Sequence, residues 1–400
     1  MIDKDKKWKK VKVGDVIEFN PRESLKKGTV GKYVEMANLE CYVKNILGYE
    51  LKEYKGGTKF RNGDTILARI TPCLENGKTA FIDFLDKEEI GFGSTEYIVL
   101  REKSGITDNQ FIYYLSISDE FRDLAIKSMS GTSGRQRVQN DVLKSNEIYL
   151  PSLEIQKKIA KVLSVLDEKI RINNEINNNL IKLAMMFFDL FFKNKKINGC
   201  LGDYCHIKSG FAFKSSWWQK TGIKVVKISS ITQDKLNLSL CSHVSSDKIS
   251  LAPEFLLQKG DLVIAMTGAT LGKFAIIPET KGSILTNQRV GKFFLGDYPL
   301  EKLPFIYCQL KQNDIYKEII NRGQGSAQPN ISANDLMTIP CYIPPKEEID
   351  KFNAIAKPLF CLFTKNQYTS EYLNEIRNIV LPKLLSGEID ISNIELGELL

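Results

Sequence analysis

Histidine is almost missing from this sequence: of 400 residues only His206 and His243 are histidines. A histidine-based triad repeated along the chain is therefore excluded. The eight cysteines, at 41, 73, 200, 205, 241, 308, 341 and 361, include no Cys-x-x-Cys pair. Thiols scattered without a framework point to a reducing compartment. Cys200, Cys205, His206, Cys241 and His243 match no standard zinc spacing, so no metal site is expected. There is no Gly-x-x-x-x-Gly-Lys-Ser/Thr phosphate loop, and Gly91-Phe92-Gly93 lacks the third glycine of a dinucleotide fingerprint. The Asn-Pro-Pro-aromatic sequence of amino-methyltransferases is absent too, since Ile343-Pro344-Pro345 begins with the wrong residue. Met1 to Lys7 lacks the apolar core of a signal peptide. The greasiest run, Leu180 to Phe192, contains Lys182 and Asp189 and falls short of the ~20 residues that span a bilayer. A cytoplasmic protein without a membrane partner is expected.

What is there is ordinary globular material. Hydrophobic residues make up 43% and charged residues 26%, which argues against a largely disordered chain. At ~150 residues per domain the length implies two or three domains. The formal net charge of +8 is a mild basic excess. It fits a polyanion-binding surface without requiring one.

The organising feature is an internal repeat. At a constant offset of 194 residues Phe111-Ile112-Tyr113 meets Phe305-Ile306-Tyr307, Asn140-Asp141 meets Asn334-Asp335, and Glu154-Ile155 meets Glu348-Ile349. Upstream the register drifts: Gly63-Asp64 pairs with Gly260-Asp261, and Gly77-Lys78 with Gly272-Lys273. Drift at loops and fixed register at helices is what two copies of one fold produce. The period is far above solenoid length, so the chain is a duplicated pair and not an array.

Each copy begins with short β-type runs bounded by Gly, Asn and Pro, such as Thr65-Ile66-Leu67-Ala68 and Leu262-Val263-Ile264-Ala265. Each ends in a long helical pattern. After Pro151-Ser152, with the serine as N-cap, apolar residues recur at Ile159, Val162, Leu166, Ile176, Leu180, Leu183, Phe187 and Leu190, with Lys169 and Asn173 filling the missing seam positions. This is coiled-coil spacing with a polar middle, and from Leu153 to Phe192 it predicts a rod of about 60 Å. The second pattern, from Lys346 to Leu385, carries Ile349, Phe352, Leu359, Leu362, Leu373, Ile376, Val380 and Leu384. Pro358 should kink this helix and Pro382 should disturb its last turn. Two such helices most economically bury their stripes against each other.

No catalytic constellation emerges. Glu50-Leu51-Lys52 and Glu53-Tyr54-Lys55 match the Glu-x-Lys fragment of many nucleases, but the second copy has no counterpart. The turns, in contrast, carry recurring polar chemistry in both copies. The first copy offers Arg69, Thr71, Asn76 and Lys78, then Thr95 and Glu96; the second offers Thr267, Thr270 and Lys273, then Asn287, Gln288 and Arg289. Glycines there let backbone amides approach a phosphate, while Arg, Asn, Gln and Glu can pair with base edges. Closing hairpins is the competing role for any single residue. Gly131 to Arg137 adds Thr132, Arg135 and Arg137, a cationic segment suited to phosphate; its counterpart keeps the donors Ser326 and Gln328 but loses the arginines. Phe211, Phe213, Trp217 and Trp218 can stack on bases, although aromatics mostly bury.

These residues resemble the DNA-specificity subunits of type I restriction–modification enzymes. The resemblance rests on Gly63-Asp64-Thr65-Ile66-Leu67 through Asn76-Gly77-Lys78, on Gly93-Ser94-Thr95-Glu96-Tyr97, on Gly131 to Arg137, on Leu150-Pro151-Ser152-Leu153-Glu154 with its long helix, and on the repetition of these in the second copy. It covers essentially the whole chain. Where the family usually shows Glu-Gln at the helix start, this chain has Glu154-Ile155-Gln156 and Glu348-Ile349-Asp350.

The resemblance implies an α+β fold: two tandem homologous α/β target-recognition domains joined and separated by two long helices that form an antiparallel coiled coil. The divisions are 1–150, 151–200, 201–344 and 345–400. It further implies that each domain reads one half of a bipartite, asymmetric double-stranded DNA site. Two related readers on a rigid rod engage one DNA face only if their half-sites lie about one helical turn apart. The helices would set the gap and dock two modification (methyltransferase) subunits. The chain itself would be non-catalytic and without cofactor or metal, since S-adenosylmethionine chemistry belongs to those subunits and cleavage to restriction subunits. A specificity component of a two-chain restriction enzyme outside type I, an oligomerising protein-binding scaffold and a cryptic nuclease are the alternatives.

Overall fold

The computed structural model of the chain describes residues 8–132, 134–232, 235–324, 329–395 and 397. It divides into two compact units, one holding the residues up to Arg171 and from Tyr372 onward, the other Ile172–Glu371.

In the first unit a four-stranded antiparallel sheet runs Ile17–Phe19, Tyr97–Glu102, Thr65–Ala68, Thr79–Phe81 in spatial order. A second runs Glu50–Glu53, Val30–Val34, Gly91–Gly93, Thr58–Phe60, its middle pair parallel. The second unit repeats both. Its sheets run His206–Ser209, Val290–Phe294, Leu262–Ala265, Phe274–Ile276 and Ser242–Val244, Ile223–Val226, Ile284–Thr286, Leu256–Leu257, again with a parallel middle pair. The duplication in sequence is thus a duplication of topology.

The central strands are buried on both faces, and strand alternation sends neighbouring residues to different cores. Ile66 and Val99 join Val34, Phe60 and Ala80 beneath the second sheet. Leu67, Ile98 and Leu100 instead join Phe111, Tyr113, Ile159 and Leu384, the helical core. In the second unit Val263 and Ala275 face one way and Leu262, Ile264, Phe274 and Ile276 the other.

The repeated Gly-Asp motif is structural. Gly63 (φ +91°) and Gly260 (φ +85°) occupy the left-handed region that glycine tolerates. The Asp64 carboxylate accepts from the Arg61 amide at 2.8 Å and from buried Arg101 at 2.6 and 2.7 Å. Asp261 accepts from the Gln258 amide at 2.9 Å and pairs with Lys292 at 3.2 Å. Burial pushes the Asp261 carboxyl up, with the Lys292 charge pulling it back.

Two forty-residue helices, α1 (Leu153–Phe192) and α2 (Lys346–Leu385), each contribute to both units. Within each unit they pack antiparallel. In the first, Lys158 donates to the Ser392 carbonyl beyond the end of α2 at 2.7 Å, and nine residues later Asp167 bonds Arg377 at 2.7 Å. In the second, Asn173 donates to Ser370 at 3.2 Å, Asn366 to Asn177 at 3.0 Å, and the Phe188 and Phe352 rings lie 5.6 Å apart.

The buried line along α1 is Gln156, Ala160, Leu163, Asp167, Asn173, Asn177, Ala184 and Phe188; it shares Asn173 with the expected seam and otherwise runs one position on from it. Of the expected residues Ile159 is buried, Val162, Leu166, Leu180 and Phe187 are half-buried, and Ile176 (37%) and Leu183 (38%) are exposed. On α2, Leu359, Leu373, Ile376 and Val380 are half-buried, while Phe352, Phe360 and Arg377 are fully covered. The shift arises because polar seam residues find partners. Asp167 has Arg377, Asn173 has Ser370, and Asn177 has the Phe363 carbonyl at 3.1 Å.

α2 stays helical through Pro358 and Pro382. Both prolines lie on its exposed side, with Ala354 and Asn378, whose carbonyls have no helical N–H from them.

Candidate nucleic-acid interface

Three chain segments meet at one end of the first unit's sheets. They are Arg69–Thr71, leaving the strand Thr65–Ala68; Ser94–Glu96, entering Tyr97–Glu102; and the Met129–Ser130/Arg137–Val138 hairpin with Gly131, Thr132 and Gly134 to Gln136 between its strands. The backbone ties them together. The Arg69 amide donates to the Glu96 carbonyl at 2.9 Å, the Val138 amide to the Arg69 carbonyl at 2.9 Å, and the Thr71 amide to the Gln136 carbonyl at 3.1 Å. The Thr71 hydroxyl donates to the same carbonyl at 3.1 Å. Arg69, Thr71, Thr95, Glu96, Thr132, Arg135 and Arg137, far apart in the sequence, thus share one surface.

The second unit builds the same junction with other side chains. The Met266 amide donates to the Arg289 carbonyl at 3.0 Å, the Ile331 amide to the Met266 carbonyl at 2.9 Å, and the Gly268 amide to the Pro329 carbonyl at 2.9 Å. Thr267 pairs with Asn330 as Ile70 pairs with Arg137. Asn287, Gln288 and Arg289 form the adjoining turn, with Gln288 and Arg289 exposed. Thr270 and Lys273 lie on the following turn, the Lys273 amide donating to the Thr270 carbonyl at 3.0 Å. Ser326 and Gln328 lie outside the described residues.

Some candidates are partly engaged already. The Lys78 ammonium donates to the Met36 carbonyl at 2.7 Å, and Nη2 of the Arg69 guanidinium to the Val138 carbonyl at 3.0 Å. Asn76 is exposed, at the far limb of the 70–78 loop. Phe213 is buried, and the Phe211 and Trp217 rings stack at 6.4 Å over the same cluster, so these aromatics pack together. Lys227 lies 3.6 Å from the Trp218 ring centre.

The 70–78 loop of the first unit rests on a polar network that sequence reasoning missed. The Tyr42 amide donates to the Gly77 carbonyl at 3.1 Å. Arg122 donates to the Glu75 carbonyl at 2.7 Å and to the Tyr42 hydroxyl. Arg377 on α2 donates to the Tyr42 carbonyl at 3.2 Å and to Asp167, which also accepts from the Tyr114 hydroxyl at 2.7 Å. Beside it Lys44 is buried among the Phe81, Tyr113 and Tyr114 rings and donates to Gln110; burial pushes its ammonium below the ordinary lysine range. The signal available in sequence was charge at seam spacing: Ala160, Leu163, Asp167 on one helix and Arg377, Leu381, Leu384 on the other.

Gly77 shows how tightly the loop is seated. Its φ is +82°, and a Cβ there would lie 2.6 Å from the Tyr42 ring. Gly77→Ala is expected to destabilise the first unit by about 1–3 kcal/mol, read as a lower urea midpoint.

All eight cysteines are free thiols. Among the described residues no group of three or more His, Cys, Asp or Glu could hold a metal ion, and no helix is long and apolar enough to cross a membrane.

A twice-repeated mixed-sheet domain, with the same three-segment junction in each copy and a shared pair of long helices, defines a duplicated recognition protein. Comparison with known proteins narrows the class. The family model "Type I restriction modification DNA specificity domain" matches residues 5–182 and again 194–378. The MjaVIII specificity subunit of Methanocaldococcus jannaschii is 26% identical, over 97% of this chain and 94% of the relative. The HindI specificity subunit of Haemophilus influenzae is 22% identical, over 96% of this chain and 99% of the relative. The crystal structure of the type I S subunit from M. genitalium shares the fold, with a TM-score of 0.56 at 17% identity over 96% of this chain and 97% of the other. The chain belongs to the type I restriction–modification DNA specificity family, as the specificity subunit of such a system.

Proposed function

We propose that residues 1–150 and 201–344 each read one half of a bipartite double-stranded DNA site through their three-segment junctions, and that the two halves differ in sequence. The observation that carries this reading is the pair of junctions with one backbone scheme and different side chains. Arg135, Arg137 and Glu96 occupy it in the first unit, and Gln288, Arg289 and Asn330 in the second. A common scaffold with divergent donors suits two readers of unlike base pairs.

The helical regions 151–200 and 345–400 set the gap between the half-sites and dock the two modification subunits. In the second unit α1 leaves Ile172, Ile176, Leu183, Met186 and Leu190 exposed at steps of three, four and seven, a second apolar stripe fit to take a partner helix. The chain is non-catalytic. The methyl donor S-adenosylmethionine and the adenine chemistry belong to the modification subunits, and cleavage to the restriction subunits.

Salt dependence of DNA binding by the complex with modification subunits tests the interface. Arg135→Ala, which removes an exposed cation without a carboxylate partner among the described residues, is expected to flatten the plot of log K against log salt by about one unit and to weaken all sequences alike. An unchanged slope would remove Arg135 from the interface.

A further inference from the structure

Glu96 and Arg137, 41 positions apart in the chain, form an ion pair at the surface of the first unit's junction. The carboxylate takes the side edge of the guanidinium: Nε donates at 2.9 Å to Oε1 and 3.0 Å to Oε2, and Nη2 donates at 2.7 Å to Oε1. Nη1 makes only a long contact, 3.5 Å, with the Arg135 carbonyl. The Arg137 hydrogen bonds hold the Glu96 carboxyl below the ordinary carboxylate range, so the pair stays ionised at neutral pH. Both partners are anchored by backbone. The Glu96 carbonyl receives the Arg69 amide, and Arg137 bridges Ile70.

A guanidinium presents five N–H groups in a rigid planar fork. With the side edge given to Glu96, the end edge, where Nη1 and Nη2 stand side by side, remains the one to meet a ligand. Two acceptors on one rigid face are what that edge matches, namely the O6 and N7 of guanine in the major groove or two oxygens of a phosphate. The carboxylate decides between them. It largely cancels the charge that would draw Arg137 to a phosphate and would itself repel one, whereas the neutral acceptors of guanine are unaffected. It also fixes the plane of the fork before DNA arrives, which removes ordering entropy.

We propose that Arg137 reads a guanine in the half-site of the first unit, with Glu96 as its positioning residue. This rests on the reading that the three-segment junction meets DNA, and goes beyond it by assigning base contact to Arg137 and leaving phosphate contact to Arg135. Among the described residues the second unit has no such pair at the equivalent positions. Arg289 stands where Glu96 does and Asn330 where Arg137 does, so the guanine contact belongs to the first unit alone.

The test uses the complex with its modification subunits and duplexes of the site found by methylome sequencing, each base pair replaced in turn. Replacing one G·C pair in one half-site should weaken binding by the native complex about 10–100-fold. The double exchange Arg137→Ala with Glu96→Gln, which removes both charges together, should level the response at that position only and leave the salt slope unchanged. Glu96→Gln should blunt discrimination at the same position several-fold and steepen the salt slope by about one unit, because the freed guanidinium now meets phosphate; a merely structural role for Glu96 would move neither readout in this way. Glu96→Asp should restore part of the discrimination. Uniform weakening by the double exchange with a shallower slope, or a half-site without any G·C pair, overturns the proposal while leaving the interface standing. If neither Arg135→Ala nor Arg137→Ala alters DNA binding, the interface falls together with it.

Discussion

Asp167→Ala is expected to destabilise the first unit by about 3–5 kcal/mol, the largest effect of any single exchange on the helix pair. Asp167 and Arg377 each expose only 6% of their side chains. Removing the carboxylate leaves a guanidinium buried without its counter-charge and the Tyr114 hydroxyl without its acceptor. The contrast that isolates the mechanism is the double exchange Asp167→Leu with Arg377→Leu. It removes both charges at once and should recover most of the loss, since apolar pairs of similar volume often replace buried ion pairs at little cost. Urea unfolding of both variants measures the difference. A double variant as unstable as Asp167→Ala would mean that the pair is worth more than its desolvation. The double variant also loses the bond from Arg377 to the Tyr42 carbonyl, the link from α2 to the 70–78 loop. Amide hydrogen exchange at Gly77 and Lys78 should therefore rise even where global stability is recovered.

The second large effect concerns function. Exchanging residues 1–150 for another domain of this family should change one half of the methylated sequence completely and leave the other half intact, as read by methylome sequencing of the host. All three segments of the first junction lie inside that stretch, whereas Asp167 and Arg377 lie outside it. Compatibility at the join depends on the apolar core that Ile159, Leu163 and Leu384 share with Phe111 and Tyr113, and on a few polar groups. Arg377 needs only a backbone carbonyl at position 42, but Asp167 needs a hydroxyl at position 114. An incoming domain with phenylalanine there should function at lower stability, by about 1–3 kcal/mol. A change in both halves of the recognised sequence would defeat the assignment of one half to each domain.

The strands, the duplication and the helix spans were legible because each is encoded by neighbours in sequence. Thr65–Ala68 and Leu262–Ala265 read as short strands and are so, and the second helix occupies Lys346–Leu385 as its pattern predicts. The candidate surface was legible in outline. Arg69, Thr71, Glu96 and Arg137 do come together, yet Lys78 and the Arg69 guanidinium are engaged by carbonyls that no sequence pattern reveals. The helix seam was read one position out except at Ile159 and Asn173, which are buried as expected. Ile176 and Leu183 looked like core because they are apolar, yet they are exposed, while the polar Asp167 and Asn177, absent from that apolar pattern, are buried against partners on the other helix.

By itself, then, the amino-acid order determined that this protein is one fold written twice, with strands alternating at period two and two helices of forty residues, because backbone periodicity and turn chemistry act over a few positions. Only the tertiary structure decided which face of each helix is covered, since one step along a helix turns the side chain by about 100° and the choice depends on what the facing surface offers. It likewise decided that Arg137 is held by Glu96 while Arg135 is not. An ion pair across a folded junction depends on distances between segments that only the completed sheets bring together.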